Sequence, residues 1–442
     1  MTRFALAVAA LVLVCGVVTA DHTDTVFERL QLGKLTALRE EVKDLAETLT
    51  PVETGDQYKD LRAVIHSHSY LSHDSRGTLE EMVAAAHASG TDVVMLTDHR
   101  SQEQDVLTEG FSGMHDGVLF FPGSEARGLL IYTPTSIDID APTTLQDLID
   151  LVESKGGTTF LSHIEGHQDF DLTGVTGMEI YNLHAAAYEA PGIFQVITPR
   201  SAQDVARLMI LVQAFQTYPR EALAAIAFRP DLYLRRFDEM TQKYPLTGVA
   251  APDSHSNTGI VLKAAEDGKV RVEELLGDEI AVLDAAAVPF PGVVRPDAQP
   301  GDVLFKLQLD PYDASMGHVG TFVLAKDLTP QEFLAGLRAG RCYVAFDWIA
   351  NPEGFRFTAV KDDRPVAIMG QETACAPGLA LEAALPAEAV VRLYRNGEQC
   401  GEITGRRATW PISQPGVYRV EAYVQLVGEL RPWILSNPIY VR

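Results

Sequence analysis

The chain has 442 residues, 46% of them hydrophobic, with ordinary glycine and proline content, which excludes wholesale disorder and collagen-like or low-complexity architectures. Lys and Arg total 36 against 60 Asp and Glu, a formal charge of −24; so acidic a chain repels nucleic acid and anionic membrane surfaces and excludes both as bulk partners. At about 100–200 residues per domain, the length suits roughly two to four domains.

Met1-Thr2-Arg3, the apolar stretch Phe4 to Val18 and the small-residue Val18-Thr19-Ala20 read as a cleaved export signal over residues 1–20. The apolar run falls short of the roughly 20 residues needed to span a bilayer. The reading places the protein in the periplasm or outside the cell, with no membrane attachment after cleavage. In such an oxidising compartment Cys375 and Cys400 are candidates for pairing, leaving Cys342 as a buried thiol.

Residues 21–57 form an N-terminal helical segment, with 25–50 patterned as one amphipathic helix. Over 58–284, short apolar runs (LRAVIH, TDVVMLTDH, GVLFFPGSE, GTTFLSH, GMEIYNLH, LTGVAAPDSH) alternate with helical stretches such as TLEEMVAAAHASG and TTLQDLIDLVESKGG. That alternation predicts a parallel α/β sheet or barrel, with a helical insertion at 198–244. Residues 285–350 read as a proline-rich connector followed by a helix at 329–340. Residues 351–442 are β-patterned, with Asn396-Gly397 as a hairpin turn, and suggest a β-sandwich-like domain. In it Trp410, Tyr418, Tyr423 and Trp433 read as core rather than as a ligand face.

The chemistry sits where the apolar runs stop. His66 and His68, two apart, lie on one face of a strand. His73 and Asp74 follow in the loop. Later runs end in Asp98-His99, in Glu125, in His163, and in Asp253 and His255. Active sites of parallel α/β folds gather beyond the carboxyl ends of the strands. Imidazole with carboxylate suits zinc, manganese or iron. About eight ligands exceed the needs of one tetrahedral ion and predict two or three. Asp98 reads as orienting a ligand rather than binding metal. Arg100 and Arg127 are candidate anion-binding catalytic side chains, Arg127 because it lies two residues from Glu125 on what would be the same strand face.

The series IHSHSYLSHDS, TDH, GSE, LSH, PDSH resembles the PHP (polymerase and histidinol phosphatase) family over residues 58–284. The resemblance implies a distorted seven-stranded β/α barrel, C-terminally followed here by the β-rich domain, holding two or three divalent metal ions. It implies His66, His68, Asp74, His99, Glu125, His163, Asp253 and His255 as the metal ligands, with His73 the alternative to Asp74 and Glu125 the bridging carboxylate. SHDS and the run ending PWILSNPIYV look like an exported branch near carbamate- and ester-hydrolysing members. One departure stands out: no histidine lies between Glu125 and His163, so one ion has fewer ligands, only two ions bind, or His167 substitutes.

These features predict a metal-dependent hydrolase. The leading expectation is an exported phosphoesterase in which a hydroxide bridging the ions attacks a small, anionic phosphoester, with Glu125, Asp253, Arg100 and Arg127 as its catalytic residues. The alternatives are a carbamate or carboxyl-ester hydrolase with the same centre, and a non-catalytic metal-containing binding protein. No lysine ends a strand here as an amidohydrolase bridge, and no G-x-S-x-G elbow or nucleotide-binding glycine loop is present.

Overall fold

The computed structural model describes residues 22–442 except 102–103, 189, 191, 197–200 and 289–291. The export signal at 1–20 and the first three positions of the 198–244 insertion lie outside the described residues. Among the described residues no helix is long and apolar enough to cross a membrane.

The fold is mixed α/β. The apolar run 59–65 forms the strand Lys59–Ile65, whose last five residues are all buried. It pairs in parallel with Val93–Met95, which pairs in parallel with Val118–Phe121. On its other side it pairs antiparallel with Gly320–Ala325. A five-stranded sheet follows, in sequence order: Ser124–Ala126, Leu129–Tyr132, Thr158–Leu161, Gly177–Asn182 and Thr247–Ala251. The helices between strands start where their sequences say. Thr78 and Glu81 form a capping box for Leu79–Ser89, and Thr144 and Asp147 one for Leu145–Ser154.

The expected seven-stranded barrel is not formed as a closed ladder; the two sheets are open. After Val118–Phe121 the chain turns through Pro122-Gly123 and begins the second sheet. A Cβ on Gly123 would lie 2.5 Å from both the Leu96 carbonyl oxygen and the Tyr132 ring, so only glycine allows this close passage. The sheets meet at the carboxyl ends of their strands through single backbone bonds. Glu125 donates to the Thr97 carbonyl (3.1 Å) and His68 to that of Ser254 (2.9 Å).

Three other elements depart from the expected pattern. The N-terminal helix is two helices, Thr23–Arg29 and Leu32–Glu47, broken where Gln31 is extended (ψ 131°) and Leu30 turns inward to be buried. The region after His255 is an antiparallel four-stranded sheet (Gly259–Ala264, Lys269–Glu274, Glu279–Asp284, Val303–Gln308) whose last strand returns to pair with its first, and the proline-rich stretch falls between its third and fourth strands in sequence. The C-terminal strands form no free-standing sandwich. Glu429–Ser436 pairs with Cys342–Ala345, which pairs with Gly320–Ala325, so one 14-stranded sheet runs from the β-rich end to the first strand. Within it Leu379–Arg395 bends at a bulge between Ala384 and Ala389, pairing first with Arg356–Lys361 and then with Gly416–Leu426. Asn396 and Gly397 (φ 53° and 87°) make the hairpin turn, and Trp410, Tyr418, Tyr423 and Trp433 are buried core. Cys375 and Cys400 are unpaired, and Cys342 is buried.

His318 is 1% exposed, with Nε2 3.1 Å from the Tyr181 hydroxyl. Burial pushes its pKa down to about 3. The unfolded chain therefore takes up a proton below about 6.5 that the folded chain refuses, and stability falls as pH drops through that range. Denaturant melts of metal-free protein should show wild type losing about 2 kcal/mol more than His318→Gln between pH 7 and pH 5. Identical pH dependence in the two proteins would contradict the assignment.

Candidate metal centre

The strand ends deliver their side chains by leaving the strand in the left-handed backbone region. His66 (φ 73°), His163 (φ 48°) and Asp253 (φ 49°) all do so. Each such residue costs about 1–3 kcal/mol and persists only where the surroundings impose it. The turn folds each side chain back over the seam between the sheets.

There the predicted ligands converge. Asp253 Oδ1 lies 3.1 Å from His66 Nε2 and 3.5 Å from His68 Nε2. Glu125 Oε2 lies 3.3 Å from His66 Nε2 and 3.6 Å from His68 Nε2. The other oxygen of Glu125 faces His163 Nε2 at 3.1 Å, the disposition of a bridging carboxylate. Asp74 Oδ2 lies 3.4 Å from Nε2 of both His99 and His255. His73 is 77% exposed and joins no cluster, so Asp74 and not His73 belongs to the site. His167 stacks on Phe170 instead of filling the gap after Glu125.

Four overlapping groups place their ligand atoms within 4.8 Å of one another: His68, Asp74, His99 and His255; His66, His68 and Asp253; His66, Glu125 and His163; and His184, Asp253 and His255. His68 Nε2, Asp74 Oδ1 and Asp253 Oδ1 are buried and make no hydrogen bond. Buried lone pairs without donors are costly. Aimed at common points from imidazole and carboxylate, they fit divalent cations. The donor set accommodates two or three ions.

Four functional side chains escaped the sequence reading. Glu179, fully buried, receives His66 Nδ1 at 2.6 Å on one oxygen and the His163 backbone N–H at 3.0 Å on the other. Its contact fixes which His66 nitrogen faces the cluster. Glu165 does the same for His163 Nδ1 at 2.9 Å. Asn182 donates to Glu179 at 3.2 Å. His184 Nδ1 lies 3.3 Å from Asp253 Oδ2. The signal for His184 was present, since GMEIYNLH ends in it; Glu179 and Asn182 lie inside that same run and Glu165 just past LSH.

Asp98 orients, as expected: it accepts from the Ser69 backbone (2.6 Å) and hydroxyl (2.8 Å), pinning the loop after His68. The two arginines do not reach the cluster. Arg100 is exposed and paired with Asp138 and Asp140. Arg127 sits at φ 57° in the turn after Glu125, where strand alternation has ended, and donates to the Pro142 carbonyl at 2.9 Å. Both guanidinium groups are committed to partners outside the site.

Burial alone would strip the proton from these imidazoles. For His66 the carboxylates of Asp253, Glu125 and Glu179 outweigh it and hold the pKa well above the ordinary value. For His163 Glu125 and Glu165 do so. His255 is pushed up to about 9 by Asp74 and Asp253 against the same burial. His68, buried beside His255, is pushed down to about 3. Conversely, burial would raise the carboxyls of Glu125 and Asp253, but the facing imidazoles hold both well below their usual range. The facing carboxylates and imidazoles thus favour each other's charged forms.

No family model matches the chain, and no curated protein matches it. Among solved structures it is similar to a two-domain protein containing a predicted PHP-like metal-dependent phosphoesterase from Bacteroides vulgatus ATCC 8482. That structure is 12% identical, with 88% of this chain and 98% of the other covered and a TM-score of 0.35. A likeness at that level adds nothing to what the cluster's own atoms say.

Two outcomes are expected. Binding Mn²⁺ or Zn²⁺ must displace ligand protons, so affinity should rise with pH between about 6 and 9 and each ion should release protons, read by calorimetry in buffers of different ionisation enthalpy. Affinity independent of pH would contradict the ligand set. Glu179→Gln should weaken binding of one ion about 10–100-fold while leaving the fold intact by circular dichroism.

Proposed function

We propose that the chain is a metal-dependent hydrolase of the PHP kind, exported, and acting as a phosphoesterase on a small ester. The single observation that carries the proposal is the convergence of His66, His68, Glu125 and Asp253, flanked by His163 and by Asp74, His99 and His255, with buried lone pairs lacking any other partner. The strand-end motif series supports the family; the charged start, apolar run and Val18-Thr19-Ala20 support export.

His66, His68, Glu125 and Asp253 would hold one ion, Glu125 with His163 a second, and Asp74, His99 and His255 a third. Ions so held polarise an ester and lower the pKa of an attacking water to near neutrality. The protein's own contribution is positional. Glu179 and Glu165 fix the His66 and His163 rings, and Asp98 fixes the loop carrying His68. With Arg100 and Arg127 committed elsewhere, a phosphoryl group would have its charge balanced by the cations alone. That specific observation favours a second reading, hydrolysis of a carbamate or carboxyl ester, whose reacting carbonyl is neutral.

Purified protein loaded with Mn²⁺, Zn²⁺ or Fe²⁺ should turn over an aryl phosphate, and His66→Ala His68→Ala should lose at least about 10³-fold of that rate. Turnover of an aryl carbamate with none of aryl phosphate would select the second reading. Full metal stoichiometry with no turnover of either would leave a metal-containing binding protein.

A further inference from the structure

Beside the metal centre lies a cavity of about 700 Å³, open mouth included. Three metal-centre residues, His184, Asp253 and His255, form one end of it. Most of the rest is apolar and comes from parts of the chain far apart in sequence. Val26 and Leu30 come from the first helix, Leu211 and Phe215 from the helix Ala202–Thr217, Leu223 and Ile226 from the turn that follows. Among the described residues no lysine or arginine lines it, and the polar groups in its wall are held by their own partners: the Asp310 carboxylate accepts the backbone N–H groups of Asn257 and Thr258 at 3.1 and 2.8 Å. Its mostly apolar lining with a few polar groups is that of small-molecule sites. Away from the metal-centre residues, an anionic body would meet the Asp310 carboxylate and, among the described residues, no lysine or arginine; water in it would have few hydrogen-bonding partners.

We infer that this cavity receives an uncharged hydrocarbon group of the ester, so that the substrate is an ester of an apolar alcohol or acid whose reacting atoms sit at His184, Asp253 and His255. The inference rests on the hydrolase reading and narrows it. The first helix is therefore part of the substrate site, and its position is fixed by contacts outside the cavity. Arg29 spans Glu429 (2.6 Å) and the Ala225 carbonyl (2.9 Å), with its guanidinium 4.2 Å from the Phe228 ring centre. The element selects chain length without touching the reacting atoms.

The test compares methyl and octyl p-nitrophenyl phosphates, or the matching carbamates if those are turned over, which share one reacting centre. Wild type should prefer octyl by about tenfold or more in kcat/KM. Leu211→Trp, which fills the cavity, should remove that preference by lowering kcat/KM for the octyl substrate far more than for the methyl one; Phe215→Ala, a milder change, should shift the preference toward bulkier groups. Equal kcat/KM for both substrates in wild type, or equal loss on both in Leu211→Trp with Phe215→Ala silent, would overturn the inference. If no ester is turned over, the hydrolase reading has failed and the cavity is tested by itself with the neutral dye N-phenyl-1-naphthylamine. Saturable fluorescence enhancement kept in His66→Ala and lost in Leu211→Trp upholds an apolar ligand site. Enhancement absent in wild type, or insensitive to Leu211→Trp, overturns it.

Discussion

The structure depends on one buried carboxylate. The Asp253 side chain is 1% exposed, and an ionised group so placed costs several kcal/mol unless opposite charge or a metal surrounds it. Its partners come from three places: His66 and His68 beyond the first strand, His163 beyond Thr158–Leu161, and His184 at the end of Gly177–Asn182. To bring them together, the ends of two open sheets must meet. The left-handed backbone at His66, His163 and Asp253 follows from this. A strain of about 1–3 kcal/mol per residue is smaller than the penalty of leaving the carboxylate unmatched.

Much of this centre is legible in the sequence because metal ligands of this kind end apolar runs, and an apolar run is the strongest signal a buried strand leaves. His66, His68, His99, Glu125, His163, Asp253 and His255 all stand at such ends, and all converge. The residues that orient them leave a weaker trace. Glu179 sits in the middle of a wholly buried strand, where a single acid looks like an interruption of the pattern. Its meaning depends on the imidazole opposite, 113 positions earlier in the chain.

Local rules failed where the local element ended sooner than the pattern implied. Placing Arg127 on the same face as Glu125 requires the strand to continue, but Ser124–Ala126 is three residues long and turns at Arg127-Gly128. The N-terminal periodicity runs through Leu30, yet burying Leu30 requires a change of direction there, and helical spacing cannot record that. The four-stranded sheet after His255 does show alternation, in KVRVEE with its exposed and buried residues largely in turn. It was masked by the expectation that a proline-rich stretch separates domains rather than linking two strands of one sheet. Closure of the barrel was least legible of all, since it turns on whether single backbone bonds or full ladders join the sheets.

The clamp between Arg29 and Glu429 joins positions 400 residues apart. A chain made from its amino end has every ligand of the metal cluster available once residue 255 has emerged. The wall of the neighbouring cavity cannot lock until the last hairpin arrives. Contacts of such long sequence separation form late. The ligand set and the cavity wall thus draw on different lengths of chain: the ligands are complete by residue 255, while the clamp that holds the wall needs the hairpin carrying Glu429.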